Sequence, residues 1–137
     1  MPAYMLKTIL ATAFMAAALV SFWSMMTLMG KPEKKTDPAK LRTIHRAAGI
    51  VIVVLLVPLI YLGARLLAQM GDAMSIRAGF HVVLAIALVV LLILKISIVR
   101  VYKNFLNYAP VLGMMIFILA VVVYAITAGF TVLMNIF

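Results

Sequence analysis

The chain lacks cysteine and carries little negative charge. With no Cys among its 137 residues, it can form no disulfide, no thiolate nucleophile and no thiolate-bound zinc or iron–sulfur site. Any redox chemistry therefore requires a bound cofactor. Three acidic residues stand against twelve Lys and Arg. None of the three lies in a long apolar segment, which argues against a proton-coupled antiporter built on a buried carboxylate.

Apolar side chains are present in excess. They make up 68% of the chain, and charged residues make up 11%, whereas soluble domains have about 45–50% and about 25%. A chain of this length forms one domain with a small core and cannot hide so much apolar surface from water. These numbers exclude a soluble enzyme, and they exclude a disordered chain because the charge is too low.

Four apolar segments are long enough to cross a bilayer as helices, which takes about 20 residues each. Their apolar residues do not alternate with period two, so barrel strands are excluded. The sequence therefore predicts an all-α integral membrane protein, a single transmembrane domain that forms an up-down four-helix bundle. The predicted spans cover residues 5–29, 42–68, 75–100 and 109–135, with a basic loop at 30–41.

Proline and glycine mark the predicted helix ends. Pro38 and Pro110 are suited to the first turns of the second and fourth helices, and Gly71 is a natural end for the second. Pro58 falls inside the second helix, where it predicts a kink.

The basic residues predict the orientation of the spans. Nine of the twelve lie in the first and third loops or at the adjoining helix ends, and positive residues favour cytoplasmic loops. Both termini are therefore expected on the outer side, which is the periplasm if the protein lies in a bacterial inner membrane. The tract Lys31–Arg42 is expected to hold the topology and touch anionic lipid. Docking of an acidic soluble partner is the alternative for this tract, and no nucleic-acid partner is expected.

Intramembrane ionisable residues are functional candidates, and those in this chain are His45, His81 and Lys95. Lys95 is close to a helix end and is expected to extend its ammonium towards the interface. The two histidines share a local pattern, in which an Arg precedes the His by three or four residues and a small residue follows it by four. The two sets are His45 with Arg42 and Gly49, and His81 with Arg77 and Ala85; Arg46, directly after His45, is a further candidate.

This pattern suits a haem. The imidazole would bind iron, the small residue would let the porphyrin approach the helix backbone, and the Arg would pair with a propionate. The plainer interpretation also stays open, since Gly and Ala serve helix packing in membranes and Arg at a span end is an ordinary orientation signal.

The two histidines are predicted to form separate sites. They lie on antiparallel helices at different distances from the turn near Gly71, which offsets them by roughly 25 Å along the membrane normal. Two axial ligands of one iron stand only roughly 4 Å apart. A second ligand would come from Met or from His of another chain, or the iron would be five-coordinate. The Met candidates are Met25, Met26, Met29, Met114 and Met115 for His45, and Met5 and Met134 for His81; the alternative for all of them is flexible packing.

The run His45-Arg46-Ala47-Ala48-Gly49, with Leu55-Leu56-Val57-Pro58, Ala64-Arg65 and Phe80-His81, resembles the central two helices of the cytochrome b561 family. The resemblance covers about residues 41–100. It implies that His45 and His81 are haem ligands on opposite sides of the membrane. That family takes partner histidines from two later helices, and this chain has no third His. Residues 43–49 are also similar to the start of the first helix in succinate dehydrogenase cytochrome b subunits, a haem and quinone neighbourhood.

Two functions are consistent with these residues. The first is a transmembrane electron-transfer component, rather than a stand-alone enzyme. It would hold one or two b haems, with a possible quinone, and pass electrons between a quinol or cytoplasmic donor and an outer acceptor protein. The second is a non-catalytic anchor or assembly subunit of a larger respiratory or electron-transfer complex. Lipid contact is expected in either case, and a homo-oligomer or a larger complex is possible.

Overall fold

Long helices make up the computed structural model, which describes residues 2–30 and 37–137. In chain order the α-helices are α1 (Ala3–Met29), α2 (Pro38–Met70), α3 (Ile76–Arg100), α4 (Ala109–Tyr124) and α5 (Phe130–Ile136). The connecting elements are 3-10 turns at Gly71–Ala73 and Lys103–Tyr108 and a π-helical segment at Ala125–Gly129. No strand occurs in these two described ranges. The all-α prediction is confirmed.

Four helical stretches are long and apolar enough to cross a membrane. They contain 26, 36, 25 and 34 residues, and the last runs without a break through α4, the π segment and α5. At 1.5 Å per residue each exceeds the hydrocarbon thickness of about 30 Å. The prediction of four spans is confirmed, and the helices continue beyond the bilayer core.

Local side chains explain where α2 and α3 begin. Asp37 Oδ1 accepts a hydrogen bond from the backbone N–H of Ala39 at 3.1 Å, and Pro38 occupies the first turn of α2. Ser75 Oγ likewise accepts from the N–H of Ala78 at 3.2 Å. Each cap satisfies a donor that has no partner within its helix. The predicted loop at 30–41 therefore extends no further than Asp37, and its residues 31–36 lie outside the described residues.

Gly71 ends α2 with a positive φ of 52°. L-residues with a side chain rarely adopt this backbone conformation, so the glycine is what allows the chain to turn there. Pro58 lies inside α2, and Pro110 lies in the first turn of α4. The predicted positions of these three residues are confirmed.

The chain divides into two compact units, Met1–Gly71 and Asp72–Phe137. In the first, α1 packs along α2 as a helical hairpin. Its buried residues come from both helices: Met15, Ala18, Ser24, Leu41 and Ala48. Leu41 and Ser24 are completely buried. The prediction of a single transmembrane domain stays a prediction.

Two contacts set the register of the second unit. Lys95 of α3 lies beside Gly113 of α4, and the Arg77 guanidinium lies over the Phe130 ring of α5. From Lys95 to Arg77 the chain goes back 18 residues, while from Gly113 to Phe130 it goes forward 17. The α3 helix therefore runs antiparallel to the continuous helix of α4, the π segment and α5, and together they form the second hairpin.

Apolar side chains cover the outside of the helices. Val57 is 66% exposed, Ile76 82% and Val83 65%. Hydroxyl groups within the spans donate to the carbonyl four residues earlier in their own helix, as at Thr8, Thr43, Ser97, Thr127 and Thr131. These polar groups need no water. Both features are those of helices that face lipid.

Candidate functional site

His45 lies in the third turn of α2 with its ring directed towards α1. Its Nδ1 is 3.0 Å from the backbone oxygen of Ser21 and 3.1 Å from Ser21 Oγ. If Nδ1 carries the proton, it donates to the carbonyl, and the lone pair is then on Nε2. Among the described residues, Nε2 has no hydrogen-bond partner. The ring is therefore oriented through one nitrogen and has the other available.

Ser24 supports the same site from one turn further along α1. It is completely buried, and its Oγ donates to the Ser21 backbone oxygen at 2.9 Å. Two polar side chains thus converge on one carbonyl at the interface of the first hairpin. Sequence reasoning missed Ser21 and Ser24. Their spacing of three on a mostly apolar helix is the signal that could have identified them, because it places both hydroxyls on one face.

The other residues predicted beside His45 lie on more open surface. Gly49, one turn further along α2, is half-buried, and a Cβ built there would meet no atom within 4 Å. Arg42 and Arg46 are exposed. The predicted role of Gly49 beside a porphyrin stays a prediction.

His81 has different surroundings in the second hairpin. Its Nδ1 is buried, and no atom of the described residues forms a hydrogen bond with it. A buried polar group without a partner costs roughly 1–3 kcal/mol. Ala85, one turn further along α3, is half-buried. The His81 ring therefore has an unsatisfied polar atom inside the protein, which is unusual and requires an explanation.

Arg77 lies one turn before His81 and stacks on an aromatic ring. Its guanidinium carbon is 4.5 Å from the centroid of the Phe130 ring, a cation–π contact between α3 and α5. This contact was not predicted. It holds the Arg77 side chain against the hairpin on the side of the helix that also carries His81.

The π segment Ala125–Gly129 packs against α3 at about the level of His81. The register from the Arg77 and Lys95 contacts places residues 126–127 opposite His81. Single π turns are rare in proteins, and those that occur often lie at functional sites. Sequence reasoning missed this feature, since no periodicity distinguishes one widened turn in an apolar helix.

The predicted second ligands differ in their exposure. Met114, Met115 and Met134 are 45%, 48% and 65% exposed, and Met25 is half-buried. Their roles as ligands stay predictions. Across residues 2–30 and 37–137, no three His, Asp or Glu side chains group together to hold a metal ion. A haem iron needs only one or two axial side chains and does not depend on such a group.

A family model described as a family of unknown function (DUF6529) matches residues 2–135. This match covers the first three spans and all but the last residue of the fourth. No curated protein and no solved structure matches the chain. The resemblance to cytochrome b561 and to succinate dehydrogenase cytochrome b therefore stays a prediction.

Proposed function

The chain belongs to the DUF6529 family, whose function is unknown, and we propose from its own side chains that it is a haem b-binding electron-transfer protein of the membrane. His45 would bind the iron of one haem, and His81 would form a second site. The single observation that carries the proposal is the contact of His45 Nδ1 with the Ser21 carbonyl at 3.0 Å.

Metal-binding histidines characteristically donate their other ring N–H to a carbonyl or carboxylate. That hydrogen bond sets the tautomer, orients the ring and raises the basicity of the ligating nitrogen. His45 has this arrangement in the tautomer that carries the proton on Nδ1, in which the Ser21 carbonyl accepts the hydrogen bond and Nε2 has the lone pair. Ser24 donates to the same carbonyl and helps to hold it in position.

The space beside His45 supports the same proposal. A porphyrin must approach the backbone of the helix that carries its ligand, and a Cβ at Gly49 would stand in open space. The exposed Arg42 and Arg46 are near the start of α2, where their guanidinium groups would pair with propionates. Bound haem would supply a one-electron iron couple, and the protein would tune its potential through ligand basicity, charge and apolar surroundings.

His81 would form the second site, and it differs from His45 because its buried Nδ1 has no acceptor among the described residues. A buried polar atom without a partner is unfavourable, and a bound ligand or proton at the ring would explain why it is kept. Arg77 remains able to donate from its edge while its face lies on Phe130. In the second site His81 would bind iron and Arg77 would pair with a propionate.

The partners and the location form part of the proposal. Electrons would pass between a quinol or cytoplasmic donor and an outer acceptor protein, with the basic loop at 30–41 on the cytoplasmic side of a bacterial inner membrane. A second ligand for each iron would come from Met25, Met114, Met115 or Met134, or from His of a second copy or partner subunit. A quinone would be the exchangeable redox partner in the bilayer.

The alternative function is a non-catalytic anchor or assembly subunit of a larger membrane complex. The observation that favours it is the same hydrogen bond, because His45 joined to Ser21 also links α2 to α1. In that case the ring is a structural bridge, and the apolar surfaces of both hairpins pack against other subunits.

A haem assay on the purified protein separates the two functions. We expect a b-type Soret and α band in the reduced-minus-oxidised spectrum and about one or about two haems per chain by pyridine haemochrome. His45→Ala and His81→Ala should each remove a haem. Thr43→Ala is the matched control, since Thr43 is exposed and bonds only within α2. Haem content of zero in the folded wild type, or unchanged content in both His variants, contradicts the proposal and favours the anchor.

A further inference from the structure

Lys95 carries a positive charge into the second hairpin. Its side chain crosses from α3 to α4, and a Cβ built on Gly113 would lie 3.1 Å from Nζ and 3.7 Å from Cε. Gly113 is the fifth residue of α4, so the ammonium lies about one turn inside the helix end. The absence of a side chain at Gly113 is what makes room for it.

The second hairpin contains no counter-charge near this ammonium. Its single acidic residue is Asp72, 23 positions earlier, which corresponds to roughly 35 Å along a helix. Among the described residues, Lys95 Nζ has no hydrogen-bond acceptor. A charge inside a membrane protein is costly without a partner, so a Lys at this depth marks a site for an anion.

The surrounding residues place this site just below a membrane interface. Tyr102, Phe105 and Tyr108, in the connection between α3 and α4, are 59%, 51% and 61% exposed. Exposed aromatic residues at helix ends are typical of the headgroup level of a bilayer. Arg100 and Lys103 are exposed at the same end of the hairpin. With Lys95 they place three positive charges there.

We propose that Lys95 and Gly113 form a binding site for the phosphodiester of an anionic phospholipid. The ammonium donates hydrogen bonds to the phosphate oxygens, with Arg100 and Lys103 adding positive potential at the rim. Two apolar side chains are exposed near Lys95, those of Ile96 and Val99. They give the acyl chains of the lipid a surface to contact. These surfaces favour a lipid over free phosphate, and the site is independent of the proposed haem function.

The test measures lipid binding to the full chain. Wild type and variants are purified in a neutral detergent, and phosphatidylglycerol binding is titrated against phosphatidylcholine by native mass spectrometry. We expect Lys95→Gln to weaken phosphatidylglycerol binding by at least about tenfold, since a charge-assisted hydrogen bond is lost. Gly113→Ala should weaken it in the same direction by displacing the ammonium, and Lys95→Arg should restore part of it.

Matched variants control for charge and for backbone effects. Arg65→Gln removes one exposed positive charge elsewhere and should change binding by less than about threefold. Gly63→Ala adds a methyl group that meets no atom within 4 Å and should leave binding unchanged. Excess inorganic phosphate should not displace the lipid. The proposal is overturned if folded Lys95→Gln keeps the wild-type preference for phosphatidylglycerol, or if inorganic phosphate competes on equal terms.

Discussion

His45 and His81 have similar sequence contexts and different structural surroundings. His45 Nδ1 contacts a carbonyl of a neighbouring helix, whereas His81 Nδ1 is buried without a partner in the described part of the chain. His45 faces Ser21 of α1, whereas His81 faces the π segment Ala125–Gly129, and none of the described residues there bonds to its Nδ1. The sequence identified the two rings as candidate ligands, but it could not show that Nδ1 has a hydrogen-bond partner in His45 and none in His81 among the described residues.

At the residue scale, Leu41 is expected to be the most sensitive apolar position in the first hairpin. It is completely buried at the start of α2, whereas Leu66 of the same helix is 41% exposed. Leu41→Ala should destabilise the protein by about 2–5 kcal/mol, because it leaves a cavity that the helices cannot fill. Leu66→Ala should cost less than about 1 kcal/mol. Thermal unfolding followed by helical circular dichroism measures both, and equal losses would argue against the packing described for α1 and α2.

At the element scale, the π segment determines how α5 continues from α4. Gly129 closes the widened turn, and a Cβ there would lie 3.1 Å from the Tyr124 backbone oxygen and 3.3 Å from its ring. The backbone oxygen cannot move without changing the turn. The Tyr124 side chain and the π turn are therefore coupled through the glycine.

Gly129→Ala is expected to destabilise the second hairpin by about 1–3 kcal/mol, as overpacking does elsewhere. Gly63→Ala, which meets open space, should instead stabilise α2 by about 0.5–1 kcal/mol, because alanine loses less backbone entropy in a helix. Opposite shifts in melting temperature are the expected result. A rise in both would show that the π turn converts to an α turn without cost.

At the scale of the whole molecule, the described helices agree with four membrane crossings, and the basic residues predict their direction. The first and third connections, together with the adjoining helix ends, hold nine of the twelve Lys and Arg, and the turn after α2 contains Asp72. The outer location of this turn rests on the positive-inside rule.

The natural absence of cysteine makes this orientation directly measurable. We introduce single cysteines at exposed positions, Lys40→Cys, Lys103→Cys and Asp72→Cys, and treat intact cells with a membrane-impermeant maleimide. Asp72→Cys should be labelled at once, and the other two only after the membrane is opened. The reverse pattern would show that the termini face the cytoplasm. The unmodified chain, which has no thiol, is the blank.

The sequence by itself determined the helices of this protein. Hydropathy, Pro38, Asp37 and Gly71 act within one or two turns, so the spans and several of their ends could be predicted from neighbouring residues alone. Only the tertiary structure decided that Ser21 faces His45, that Lys95 seats against Gly113 and that a π turn lies level with His81. These contacts depend on how each helix is rotated and in what register it packs, and nearly uniform apolar helices carry little periodic signal for either.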